Sequence, residues 1–118
     1  MSLDPTETDP DHYKVIFENE RVRVLEYTDH PGDSTSWHGH PDTFMYPLGS
    51  FRRRISAGGQ QVEAELQAGQ PRWVSAQEHS GENTGDTDSH AIFVELKEPA
   101  PTAATATDSR LGPDPGQA

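Results

Sequence analysis

Short stretches in which apolar and polar residues alternate recur through the middle of the 118-residue chain, and they constrain its fold more than any other feature. Residues 21–27 alternate with a period near two and are rich in β-branched side chains, and residues 61–66 repeat the pattern. A period of two is typical of strands that bury one face. Further strands are predicted in segments 13–17, 43–46, 51–55, 72–75, 79–83 and 91–96.

Turn residues separate these segments. Ala57-Gly58-Gly59-Gln60 is typical of a hairpin turn, and the segments 68–71 and 84–88 are also rich in turn-forming residues. No segment predicts a helix convincingly. Strands that follow one another at about 8–12 residues without helices predict an all-β sandwich or barrel.

The composition is uneven along the chain. Hydrophobic residues make up only 31% of it, less than in an ordinary globular domain. Residues 1–11 contain four acidic residues and two prolines, and residues 99–118 are rich in proline, alanine and threonine. Neither end can bury enough apolar area to offset its ordering entropy. We therefore predict a flexible acidic arm at 1–11, one folded domain at 12–98 and a disordered tail at 99–118.

Charge and cysteine content exclude several classes of protein. A net charge of -11 argues against binding to nucleic acid or to an anionic membrane surface, because both need a basic face. The chain has no cysteine, so disulfides and thiolate metal sites are excluded. Its apolar runs are short and its first residues do not resemble a signal peptide. We expect a cytoplasmic protein whose partner is a small molecule.

Six histidines are present, and the pair in His38-Gly39-His40 is the most informative. If this segment is a strand, both imidazoles point to the same face. Imidazole is a ligand for iron, zinc, nickel, manganese and copper. The alternative is a polar loop that binds no metal.

Two longer patterns enclose this pair. Residues 32–40 read Gly-x5-His-x-His and resemble the first sequence motif of the cupin family of small β-barrels. Residues 69–85 resemble the second motif, with Gly69 at a tight turn, His79 as a third histidine and Asn83 four residues later. The resemblance implies an all-β fold, the double-stranded β-helix or jelly-roll barrel.

The resemblance also implies a metal site. His38, His40 and His79 would hold one divalent transition metal, which could be Fe, Zn, Ni, Mn or Cu. The family usually has a glutamate shortly after the second histidine, where this chain has apolar residues. Asp42 is the nearest carboxylate, and it is either a fourth ligand or an ordinary turn residue.

The ligand set implies a reaction class. Three-histidine sites resemble those of cupins that use ferrous iron to activate dioxygen. The function implied is therefore a metal-dependent, dioxygenase-type oxidoreductase acting on a small organic acid or ketone. The alternative is a non-catalytic ligand-binding or sensing barrel, with or without metal, because this scaffold hosts many functions.

The only basic run, Arg52-Arg53-Arg54, is a candidate for substrate binding. Alternation groups Arg53 with apolar neighbours and places Arg52 and Arg54 on the other face, and either face could point into the barrel. We predict substrate contacts from Arg54, Tyr46 and Trp73. The alternative is that the arginines pair with acidic residues of the next strand and that the aromatic rings are core.

Small barrels leave edge strands exposed, and pairing of two copies is the usual remedy. We expect a homodimer that forms through the strand predicted at 13–17.

Overall fold

The computed structural model describes residues 2–97, which form one short helix and nine β-strands. The helix, α1, spans Pro5–Thr8. The strands are β1 (Tyr13–Glu18), β2 (Val22–Asp29), β3 (His38–His40), β4 (Thr43–Pro47), β5 (Phe51–Ala57), β6 (Gln60–Leu66), β7 (Arg72–Val74), β8 (Gln77–Asn83) and β9 (Ser89–Leu96). Every segment predicted as a strand is one. The predicted tail at 99–118 lies outside the described residues.

The strands pair antiparallel in two sheets. The larger sheet has five strands in the order β1-β2-β9-β4-β7, and the smaller has four in the order β3-β8-β5-β6. Apart from the hairpins β1–β2 and β5–β6, strands that follow one another in sequence lie in different sheets, so the chain crosses repeatedly between the two. This winding is that of a double-stranded β-helix, and the predicted fold class is confirmed.

Strand β4 illustrates why these residues form the barrel. Thr43, Met45 and Pro47 are buried, whereas Phe44 and Tyr46 between them are exposed. This alternation sends every second side chain into the space between the sheets. Two buried clusters fill that space, and Phe93 packs against both of them: one of Met45, Phe51, Leu66 and Ala91, the other of Tyr13, Leu25 and Tyr27.

Residues 2–11, which the composition predicts to be a flexible arm, make specific contacts with the barrel. The Asp4 side chain caps α1 by accepting a hydrogen bond from the Thr6 backbone N–H, and Pro5 is buried. Leu3 O accepts a hydrogen bond of 2.7 Å from the backbone N–H of Gly39 in β3. Composition misses these contacts because they depend on partners distant in sequence. Within residues 2–97, no helix has the length and apolar character needed to span a membrane.

Candidate metal centre

The strand register brings the three predicted histidines together. Strand β3 lies antiparallel to β8 and places His38 directly opposite His79. His40 projects beside His38 because alternate residues of a strand share a face. The ring centroids are 4.8 Å apart for His38 and His40, 4.9 Å for His38 and His79, and 5.2 Å for His40 and His79. One nitrogen from each ring lies within 4.8 Å of the other two, so the group could hold a metal ion.

Hydrogen bonds orient all three rings. Each Nδ1 has an oxygen partner: Ser36 O at 2.8 Å for His38, Glu95 Oε2 at 3.0 Å for His40, and Gln77 Oε1 at 2.8 Å for His79. An acceptor at Nδ1 holds the proton there and leaves the Nε2 lone pair available.

The Nε2 atoms of His38 and His40 are buried and have no hydrogen-bond partner among residues 2–97. Such atoms are rare in folded proteins, because burying an unpaired polar group is unfavourable. A divalent transition metal bound by these nitrogens would remove the penalty, so the donor set fits such an ion.

Burial and the proximity of other imidazoles favour the neutral form of His38 and His79. Burial, together with the neighbouring His40 and His38, lowers the pKa of His79 to about 3. The pKa of His38 is also lowered, chiefly by burial. Neutral imidazole is the form that binds metal, so these two rings need not lose a proton at neutral pH.

A buried carboxylate that the sequence reasoning missed supports His40. Glu95 is 3% exposed, and its Oε1 is 2.8 Å from Nη2 of Arg23, while its Oε2 holds His40. Nη1 of Arg23 in turn contacts Asp4 Oδ2 at 2.8 Å. The sequence pattern that could have identified Glu95 is its place in β9, where Ala91, Phe93 and Glu95 lie on the same face. A carboxylate on the inner face of a strand indicates a buried partner.

Asp42 lies outside the histidine group. Its Oδ1 instead accepts a hydrogen bond of 2.9 Å from the backbone N–H of Ala76, between β7 and β8. Met45, which follows the second histidine where the family usually has a glutamate, is buried in the core. Among the described residues the candidate ligand set is therefore three histidines without a carboxylate.

A cavity of about 210 Å³ adjoins the cluster at His79. Tyr13 and Phe93 form part of its wall. The Tyr13 ring lies 5.4 Å from the His38 ring, and the Phe93 ring stacks on His40 at 5.4 Å between centroids. Tyr13 and Phe93 thus contact both the cavity and the histidines. A small molecule in the cavity would therefore lie beside the candidate metal centre.

The residues predicted to bind substrate are only partly at this cavity. Trp73 lines it but is 56% exposed. Tyr46 and Arg54 do not line it, and Arg54 lies on the outer face with its Nε 3.1 Å from Glu63 Oε2. The arginine in the cavity is Arg53, whose side chain is 12% exposed. In the sequence, the spacing of Arg53 two residues from Phe51 and from Ile55 was the pattern that indicated an inward-facing side chain.

Comparison with solved structures supports the fold. The chain is similar to a cupin domain from Bordetella pertussis, with 28% identity and a TM-score of 0.68 over 73% of this chain and 92% of that one. It is also similar to a conserved protein with a double-stranded β-helix domain from Klebsiella pneumoniae, with 21% identity and a TM-score of 0.58 over 71% and 74% of the two chains. A cupin superfamily protein from Desulfitobacterium hafniense has 18% identity and a TM-score of 0.56 over 73% and 76%.

No protein-family model matches the chain, and no curated protein matches it. The similarity to cupins is therefore structural: two antiparallel sheets wound as a double-stranded β-helix, and likeness to a solved cupin domain over most of the described residues. The chain has the fold of a small cupin-type protein.

Proposed function

We propose that the protein binds one divalent transition metal through His38, His40 and His79 and acts on a small molecule held in the adjoining cavity. The observation that carries this proposal is the pair of buried Nε2 atoms, on His38 and His40, that lack a partner among the described residues. Three neutral nitrogen ligands leave coordination positions open for a substrate. The reaction that best suits such a site is oxygenase-type oxidation of a small organic acid or ketone.

The residues around the site have separate tasks. A bound divalent metal would supply Lewis acidity and, if redox-active, electrons for oxygen chemistry. Glu95, Ser36 and Gln77 keep each imidazole in the tautomer that presents Nε2. The Phe93 and Tyr13 rings pack against the histidines and limit the access of water to them.

Metal analysis tests the proposal. We expect the full-length protein, after loading with Fe²⁺, Zn²⁺, Ni²⁺, Mn²⁺ or Cu²⁺ and desalting, to retain about one ion per chain by mass spectrometry. His40→Ala should retain at most about a tenth of that. His30→Ala is the matched control, since His30 is exposed and pairs with Asp88.

Two outcomes would contradict metal binding: no ion retained by the wild type under any loading, or equal retention by the wild type and His40→Ala. The oxygenase part is tested separately, by dioxygen uptake of the Fe²⁺-loaded protein with small carboxylic acids and ketones. Metal binding without dioxygen uptake would indicate a ligand-binding or sensing protein instead.

A further inference from the structure

The cavity beside the histidines has an unusual charge for this chain. Two arginines, Arg53 and Arg72, line it, and no aspartate or glutamate of residues 2–97 does. The chain as a whole has 20 acidic and 9 basic residues, so an acid-free wall with two arginines is not what its composition predicts. A cavity of this kind favours a negatively charged ligand over a neutral or positive one.

Arg53 is held in position from one side only. Its Nη1 donates to Tyr27 Oη at 3.2 Å and to Asp29 Oδ2 at 3.3 Å. Its Nε and Nη2 have no hydrogen-bond partner within residues 2–97. A guanidinium N–H without a partner, such as those of Nη2, can form a charge-assisted hydrogen bond with a carboxylate.

The carboxylate of Asp29 does not bind Nη2. Its Oδ1 accepts hydrogen bonds from Asn83 Nδ2 at 3.0 Å and from the Ser89 backbone N–H at 3.3 Å, and Tyr27 Oη donates to Oδ2. Asp29 therefore has donors of its own and anchors only one nitrogen of Arg53. The anchor fixes the orientation of the guanidinium and leaves Nη2 without a partner among residues 2–97.

Gly81 provides the space that the guanidinium occupies. A Cβ at this position would overlap Nη2 of Arg53 and come within 3.0 Å of its Cζ. Gly81 lies two residues after His79 on β8, so both face the barrel interior. The absence of a side chain there leaves room for the guanidinium, whose Nε–Nη2 edge faces Gly81.

The rest of the wall defines the body of the ligand. Met45, Ile55, Leu66 and Phe93 contribute apolar surface. The cavity volume of about 210 Å³ equals roughly seven water molecules at their share of the liquid, less than pockets for drug-sized ligands. A compact ligand with an apolar body fits these dimensions.

We propose that the cavity binds a small monocarboxylate with an apolar body, its carboxylate on Nη2 of Arg53 and its other end toward His79. As an assignment of substrate class, this rests on the proposed function. As a binding site it depends only on Arg53 and the cavity wall.

Calorimetric titration of the full-length protein with benzoate and with benzamide tests the proposal. The two probes have nearly the same shape but differ in charge. The titrations are run on chelator-treated protein and on Zn²⁺-loaded protein, because Zn²⁺ has no redox chemistry. We expect benzoate to bind both preparations at least ~10-fold more tightly than benzamide, as expected for charge-assisted hydrogen bonds.

Variants assign the effect to one residue. Arg53→Gln should weaken benzoate binding at least ~10-fold and leave benzamide nearly unchanged. Arg54→Gln, the same change on the outer face, should bind benzoate as the wild type does. If Arg53→Gln does not fold, Gly81→Ala replaces it, since the added Cβ displaces the guanidinium from its position.

Equal binding of benzoate and benzamide, no binding of benzoate, or full retention of benzoate binding in a folded Arg53→Gln or Gly81→Ala protein would overturn the proposal. Retention of metal without benzoate binding would reject this inference and leave the metal site standing. Arg53-dependent benzoate binding by a protein that retains no metal would reject the metal site and leave this inference standing.

Discussion

At the scale of single residues, the key interaction is between Glu95 and His40. Both oxygens of Glu95 are used, one by Arg23 and the other by Nδ1 of His40. A carboxylate accepts from both donors, whereas an amide offers one oxygen and one NH₂ group. The negative charge also makes the imidazole a better ligand.

Glu95→Gln should therefore weaken metal binding by about 10-fold or more, because one of its two donors would face the amide NH₂. Competition with a chromophoric chelator measures this affinity. Glu26→Gln is the matched control, since Glu26 also accepts from a histidine, His90 at 2.7 Å, but on the surface. Wild-type affinity in Glu95→Gln would show that this carboxylate does not support the site.

At the scale of elements, residues 2–11 pack against β3, the strand that carries two of the three candidate metal ligands. Gly39 of β3 donates its N–H to Leu3, and Ser36 just before β3 donates its N–H to Asp9 Oδ1 at 2.8 Å. Asp4 reaches Arg23 on β2. The segment thus links both sheets at the end of the barrel where the histidines lie.

The Asp4–Arg23 pair makes a pH-dependent contribution to stability. The hydrogen bonds that Arg23 donates to Asp4 lower the pKa of Asp4 from 3.8 to about 2. A carboxyl whose pKa is lowered by folding stabilises the fold above its unfolded pKa, and this contribution is lost as the pH falls through the folded pKa. The stabilisation is thus present at neutral pH and disappears between about pH 4 and 2.

Asp4→Asn should lower the free energy of unfolding at neutral pH by about 1 kcal/mol, a modest value because the side chain is 34% exposed and screened by solvent. The difference from wild type should shrink as the pH approaches 2. Urea unfolding of chelator-treated protein measures it, with Asp11→Asn as the control of equal charge change. A difference that stays constant with pH would contradict the role of the ion pair.

At the scale of the whole molecule, the five-stranded sheet ends in an exposed edge. Strand β1 is the edge strand, and its side chains Val15 and Ile16 are 44% and 52% exposed. We propose that two copies associate through this edge, because it offers unpaired backbone groups together with apolar surface.

Sedimentation velocity tests the association. The wild type should sediment as a dimer, and Ile16→Asp should shift it to a monomer, because a charge would be buried in the interface. Val62→Asp is the control, since Val62 is 58% exposed in the other sheet. A wild type that is monomeric at every concentration would refute the dimer.

The strands and the candidate metal centre could be predicted because the sequence patterns that indicate them are local. Alternation of side chains and turn residues located every strand but the short β3, and the resemblance of residues 32–40 and 69–85 to two cupin motifs identified His38, His40 and His79 as candidate ligands. Each of these patterns lies within a short stretch of chain, so the sequence shows it directly.

The tertiary structure decided which side chains meet across the barrel. It placed Arg53 rather than Arg54 in the cavity, paired Glu95 with His40, and set residues 2–11 against β3. These contacts join residues that lie far apart in sequence. Charged residues that look equivalent in the sequence, such as Arg53 and Arg54, differ in the fold because one is buried and the other exposed. The sequence by itself therefore determined the barrel and the histidine triad, whereas the polar groups that support the triad and line the cavity depend on how the two sheets close around them.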